Sequence, residues 1–172
     1  MKTTNRFWRI LRHRWLDDSD VRRALDRQAM DRIQARIAAS ERRHSGEIRI
    51  CVEPGLPLGY LWRRATARER AVAMFAKLRV WDTEANNGVL IYLLLAERAI
   101  EIVADRGIAR RVDAHVWGEI AAAMREGFRA GRFEDGLMGA VEAVEQLLVQ
   151  HFPLAPGQAN PNELPDRPHL GS

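Results

Sequence analysis

The stretch that most restricts the fold is Asn86–Ile108, NNGVLIYLLLAERAIEIVADRGI. Its first apolar run, Gly88–Leu95, has no polar face, the pattern of a strand buried on both sides. Its second, Ala99–Ala104, sets Ile100, Ile102 and Ala104 opposite Ala99, Glu101 and Val103, which is strand alternation. The three residues Ala96–Arg98 can join only antiparallel neighbours, because a parallel connection needs a crossover of about a dozen residues. The first run is also too short for a bilayer span of about 20 apolar residues, and Glu97 and Arg98 end it. A buried antiparallel hairpin is therefore the expected centre of the molecule.

The flanking sequence supplies the rest. Asp20 opens a predicted helix to about His44, with Val21, Leu25, Ile33 and Ile37 on one side. HSGEIRICVE then turns at Gly46 and alternates, Ile48, Ile50 and Val52 against Arg49, Cys51 and Glu53. After the breaker PGLPLG a helix is expected over about Leu61–Leu78. Two more follow, about Ala109–Ala130 and Glu134–His151, divided by GRFEDG. The first strand reaches the hairpin through a helix, so parallel pairing is expected there. The order α-β-α-β-β-α-α predicts an α/β fold, a three-layer α/β/α sandwich whose small mixed sheet has helices on both faces. With 172 residues the chain suits one domain, here 17–153. An arm, residues 1–16, precedes it; a proline-rich polar tail, 154–172, follows and has no core of its own.

Charge sets the arm apart. MKTTNRFWRILRHRWL carries Lys2, Arg6, Arg9, Arg12 and Arg14 and no acid, or +5. The remainder holds 22 of the 27 basic residues and all 23 acidic ones, a balance of −1. A body this close to neutral is no broad nucleic-acid face, and no specific nucleic acid is expected as a partner. Arginines interrupt the arm too often for the apolar core of an export signal, so the expected location is the cytoplasm. As a helix the arm would gather Phe7, Trp8, Leu11 and Trp15 on one face, with Arg6, Arg9 and Arg12 around the rest. That suits two partners: an anionic membrane surface, placing the protein peripherally on the inner face, or a protein surface, its own or another's.

Most catalytic and metal signatures are missing. The lone Cys51 allows no disulfide and no cysteine-rich zinc site, and its strand position makes it a packed thiol. The five histidines are scattered, none at i, i+4 from another. No nucleophile elbow, phosphate-binding loop or dinucleotide glycine pattern occurs. Trp117, Ile120, Met124 and Phe128 follow helical spacing and read as core.

One cluster does follow from geometry. The loops before Gly88 and after Ala104 must lie side by side, because antiparallel strands bring them to the same sheet end. That end collects Asp82, Glu84, Asn86, Asn87 and Asp105, oxygen donors suited to Ca²⁺ or Mg²⁺. A helix starting just after Asp105 would add N–H groups favouring an anion. The competing reading makes Asp105 a helix cap and the asparagines a turn.

The segments SGEIRICVE, AMFAKLRVWDTEANNGVLIYLLLAERAIEIVADRGI, VWGEIAAAMREGFRAGRFEDGLMGAVEAVEQLLVQHFP and NPNELPD together resemble the TPM domain family. The likeness is to its soluble bacterial branch, which lacks a signal peptide or membrane anchor, and it runs from about Asp20 to Asp166. Asn87 and Gly88 before the hairpin, and Asp105 and Gly107 after it, match the family; LDDSDVRRAL matches an acidic family segment only loosely. The resemblance implies a sheet between helices and, for some members, divalent-cation binding or phosphatase activity. Two functions are therefore expected: a non-enzymatic binding or accessory domain with a cation at metal ligands Asp82, Glu84, Asn87 and Asp105, or a metal-dependent phosphatase using the same acidic end.

Overall fold

Val89–Leu94 (β2) and Ala99–Ala104 (β3) pair antiparallel, from Val89 opposite Ala104 to Leu94 opposite Ala99, around a short 3₁₀ turn at Leu95–Glu97. The computed structural model describes residues 3–171, with side chains from Trp8 onward. Ile48–Glu53 (β1) runs parallel to β2, Ile48 beside Val89. His169–Leu170 (β4) adds a fourth strand, parallel to β1 on its far edge. The sheet order is β3-β2-β1-β4.

The helices are Thr3–Trp15 (α1), Asp18–Ala24 (α2), Arg27–Glu41 (α3), Leu58–Trp62 (α4), Ala67–Lys77 (α5), Arg106–Ala109 (α6), Ala114–Arg129 (α7) and Phe133–His151 (α8). Both faces of β2 are covered. Val89, Ile91 and Leu93 join Ile48, Ile50 and Val52 under α2, α3, α7 and α8. Leu90, Tyr92 and Leu94 join Cys51 and Val103 under α4 and α5. Each fully buried aliphatic side chain contributes about 1.5–3 kcal/mol by leaving water, so β2 is the strand the fold can least change. The expected three-layer α/β/α sandwich is thus the observed architecture.

The helix boundaries differ from expectation where caps intervene. The single helix expected from Asp20 to His44 is two, because Asp26 breaks it and caps α3 by accepting from Ala29 N at 2.7 Å. Asp17 opens α2 with a capping box completed by Asp20. The helix expected over Leu61–Leu78 also splits, since Thr66 and Glu69 form a capping box that starts α5 anew. The helix expected over about Ala109–Ala130 starts later, at Ala114 (α7), and a separate single turn, α6, precedes it.

The tail builds no core of its own, yet it is not loose. Leu164 is buried in the body's second cluster and β4 binds the sheet edge. α1 packs outside the sandwich, against α4 and the loop before it.

Candidate functional site

Antiparallel pairing brings the two hairpin loops together as the topology requires. Asp105 N donates to Gly88 O at 2.9 Å, and Gly107 N donates to Asn86 O at 2.8 Å. Glycine is needed at both contacts. A Cβ on Gly88 would stand 2.0 Å from Val80 O, and one on Gly107 would stand 2.5 Å from Ala85 O. Thr83 sets the loop from beneath, its hydroxyl oxygen accepting from Asn87 N at 3.1 Å.

The four expected ligands do not share one environment. Asn87 is fully buried and Asp105 is 8% exposed. Asp82 and Glu84 sit on the surface; Asp82 lies 4.0 Å from Arg79, and the Glu84 backbone N–H donates to the Glu163 carboxylate. Among the described residues no three His, Cys, Asp or Glu side chains converge as a metal cage. The three carboxylates therefore do not meet, because the loop turns Asp82 and Glu84 outward while the sheet end holds Asp105 inward. The corner itself reduces to Asn87 and Asp105.

Asn87 Oδ1 and Asp105 Oδ2 are buried, and neither has a hydrogen-bond partner among the described residues. Asn87 spends its amide nitrogen on Ser45 Oγ at 3.3 Å, and Asp105 Oδ1 accepts from Arg106 N at 2.7 Å. A buried oxygen left without a donor costs about 1–3 kcal/mol, a cost that a water, a polar hydrogen or a cation would relieve. Hard oxygen donors of this kind fit Ca²⁺ or Mg²⁺. The expected N–H groups of a following helix are not available as an anion site: α6 is a single four-residue turn. Arg106 instead turns back to donate to Asn86 Oδ1 at 3.1 Å.

Sequence reasoning missed a second set of acids at the same sheet end. Glu41, from α3, and Glu47, just before β1, are both buried. Glu41 accepts from Ile48 N at 3.1 Å; Glu47 accepts from Glu163 N and Leu164 N at 3.1 and 3.2 Å, tying down the tail. Burial, reinforced by Glu47 and Asp166, pushes Glu41 up to about 9, so it is neutral at pH 7. Burial pushes Glu47 up to about 7, with Glu163 and Asp166 adding to it against the two backbone donors. The signal available in sequence was a glutamate placed at the entry of an apolar strand, in SGEIRI.

Three further buried polar atoms, His44 Nε2, Arg49 Nε and Asp166 Oδ1, also have no partner among the described residues, whereas the group around Glu53 is paired. Glu53 accepts from the Tyr92 hydroxyl at 2.7 Å and from Arg70 Nε at 2.8 Å. Burial and the Glu53 charge push the Cys51 thiol up to about 12, which removes it as a nucleophile at neutral pH.

The comparisons with known proteins agree with this architecture. The family model of the TPM domain matches residues 19–147, and the chain belongs to that family. The NMR structure of BA42 protein from the psychrophilic bacterium Bizionia argentinensis is similar at 28% identity and a TM-score of 0.74, over 86% of this chain and 95% of that one. The solution structure of the N-terminal domain of a P. gingivalis protein shares the fold at 20% identity and a TM-score of 0.61, covering 76% and 82%. No curated protein matches. Among the described residues no helix is long and apolar enough to cross a membrane.

Proposed function

We propose that this protein is a non-enzymatic binding domain that holds a hard divalent cation, Ca²⁺ or Mg²⁺, at the Asn87–Asp105 corner. The observation that carries this reading is the pair of buried oxygens, Asn87 Oδ1 and Asp105 Oδ2, without a donor among the described residues. A cation there would use one carboxylate and one amide oxygen and would complete its shell with backbone carbonyls or water, a set typical of modest-affinity oxygen sites. Metal-dependent phosphatase chemistry is less well supported. Holding a metal against phosphate and polarising water ordinarily takes several carboxylates, and Asp82 and Glu84 lie at the surface.

The test is Ca²⁺ and Mg²⁺ titration followed by amide NMR. Shifts should appear first at Asp82–Gly88 and Asp105–Ile108. Asp105→Asn should weaken them by about tenfold or more while the spectrum stays folded. First shifts in the tail or at the Phe133–Asp135 turn would remove the cation from this corner. Phosphomonoester turnover lost in Asp105→Asn would establish the enzymatic alternative instead.

A further inference from the structure

α1 is docked the wrong way round for a helix that exists to complete a core. Ile10 packs against the second hydrophobic cluster, but the side chains that tie the helix to the body by hydrogen bonds, Arg9 and His13, are polar. Arg9 Nε donates to Glu97 Oε1 at 2.7 Å and Arg9 Nη2 to Ala65 O at 2.7 Å. His13 is buried; its Nδ1 accepts from Leu56 N at 2.9 Å, and Nε2, which therefore bears the hydrogen, donates to Glu97 Oε1 at 2.9 Å. The helix backbone comes so close to the body that a Cβ on Gly55 would stand 2.6 Å from His13 O.

The aromatic stripe faces the other way. Trp8 is 61% exposed and Trp15, two turns on, 74%. Between α1 and α4 lies an open cleft of about 830 Å³, walled by Trp8, Leu11, Trp15, Leu16 and Leu61. Arg12 and Arg64 line the same cleft and are exposed, and Arg14 stands exposed on the same helix. The acid that lines it, Glu97, is already taken by Arg9 and His13.

We propose that this outward face of α1, with its cleft, is a docking surface for an anionic phospholipid bilayer. Tryptophan favours the bilayer interface, where its apolar ring and polar N–H are both satisfied. Exposed arginines beside the stripe meet lipid phosphates, each basic residue adding attraction that salt screens. The open cleft, walled largely by apolar side chains, would take a hydrocarbon chain. A second copy is a poorer occupant, since a two-fold pairing of this face sets arginines against arginines. Arg6 and Phe7, counted in this surface from sequence, have side chains outside the described residues.

The full-length protein, free of divalent cations, is sedimented with phosphatidylcholine vesicles and with vesicles that also contain phosphatidylglycerol. Binding should be about tenfold or more tighter to the anionic vesicles and should weaken with added salt. Trp8→Ser with Trp15→Ser should abolish it without moving the thermal melt, because both rings are exposed. Arg12→Glu with Arg64→Glu should do the same by charge alone. Brominated lipids should quench the native protein's tryptophan emission more than that of the double serine variant. No sedimentation, equal binding to neutral vesicles, or undiminished binding by both variants would each overturn the proposal. A dimer in light scattering that the serine variant loses would also overturn it, giving the face to a second copy.

Discussion

The two terminal segments are fastened by carboxylates shifted in opposite directions. α1 is held by Glu97, which the His13 hydrogen bond, with Arg9, lowers to about 2, so the lock is ionic. The tail is held by Glu47, which burial raises to about 7, beside Glu41, which desolvation with Glu47 and Asp166 raises to about 9. The same functional group gives up its proton far below its ordinary value in one lock and far above it in the other, and the difference comes from surroundings. Cationic partners favour the anion; burial among other acids favours the acid form. The two ends therefore respond to pH with opposite sign. Glu97 contributes stability that is full above its ordinary value of 4.5 and is lost as pH falls towards about 2. Glu41 and Glu47 retain protons that the unfolded chain has already released, so stability falls as pH rises from 4.5 through about 7 and on to about 9.

The largest effect expected erases the comparison. Leu90→Asp places an unpartnered charge in the strand on which both locks depend and should cost about 3–5 kcal/mol, read as loss of a cooperative melt. A near-native melt would mean that β2 is not the buried centre.

Glu41→Gln sharpens the alkaline side. It keeps the acceptor for Ile48 N while removing the ionisable group. The variant should be the more stable protein at pH 9, by about 1 kcal/mol or more, and should lose much of the wild-type decline between pH 5 and pH 9 in denaturant titrations. An unchanged slope would assign that decline elsewhere.

The smallest effect belongs to the other lock. Glu97→Gln should cost about 1 kcal/mol or less globally, because the ion pair is partly solvated. It should nevertheless lower the amide protection factors throughout α1 at pH 7 to the values that the wild type reaches only as pH falls to about 2. Unaltered exchange in α1 would mean that packing at Gly55, not Glu97, holds the helix.

Much of the body was legible. The unbroken apolar run VLIYLL fixed a strand buried on both faces, and the three-residue connection fixed its antiparallel partner. Helix breaks at Asp26 and Thr66 were visible as capping residues but were outweighed by continuous apolar periodicity. β4 was not legible: a two-residue strand has no periodicity and exists because β1 offers an edge. The meeting of the Asn87 and Asp105 loops followed from topology, whereas the burial of those two residues and the exposure of Asp82 and Glu84 depend on how the loop packs over Gly88. The orientation of α1 ran against its own pattern, since an aromatic stripe ordinarily turns inward and here Arg9 and His13 do.

The brevity of β4 bears on how this molecule lives beside copies of itself. A sheet with a long bare edge recruits strands from its neighbours and seeds aggregates. Here one edge closes with two residues, and at the other Arg68 donates into the Ile102 carbonyl, occupying a group that a foreign strand would need. Glu101 and Arg68 add charge to that same border. The margins of the sheet thus leave a foreign strand little to pair with, while the exposed aromatic surface lies on a helix whose backbone bonds are already spent.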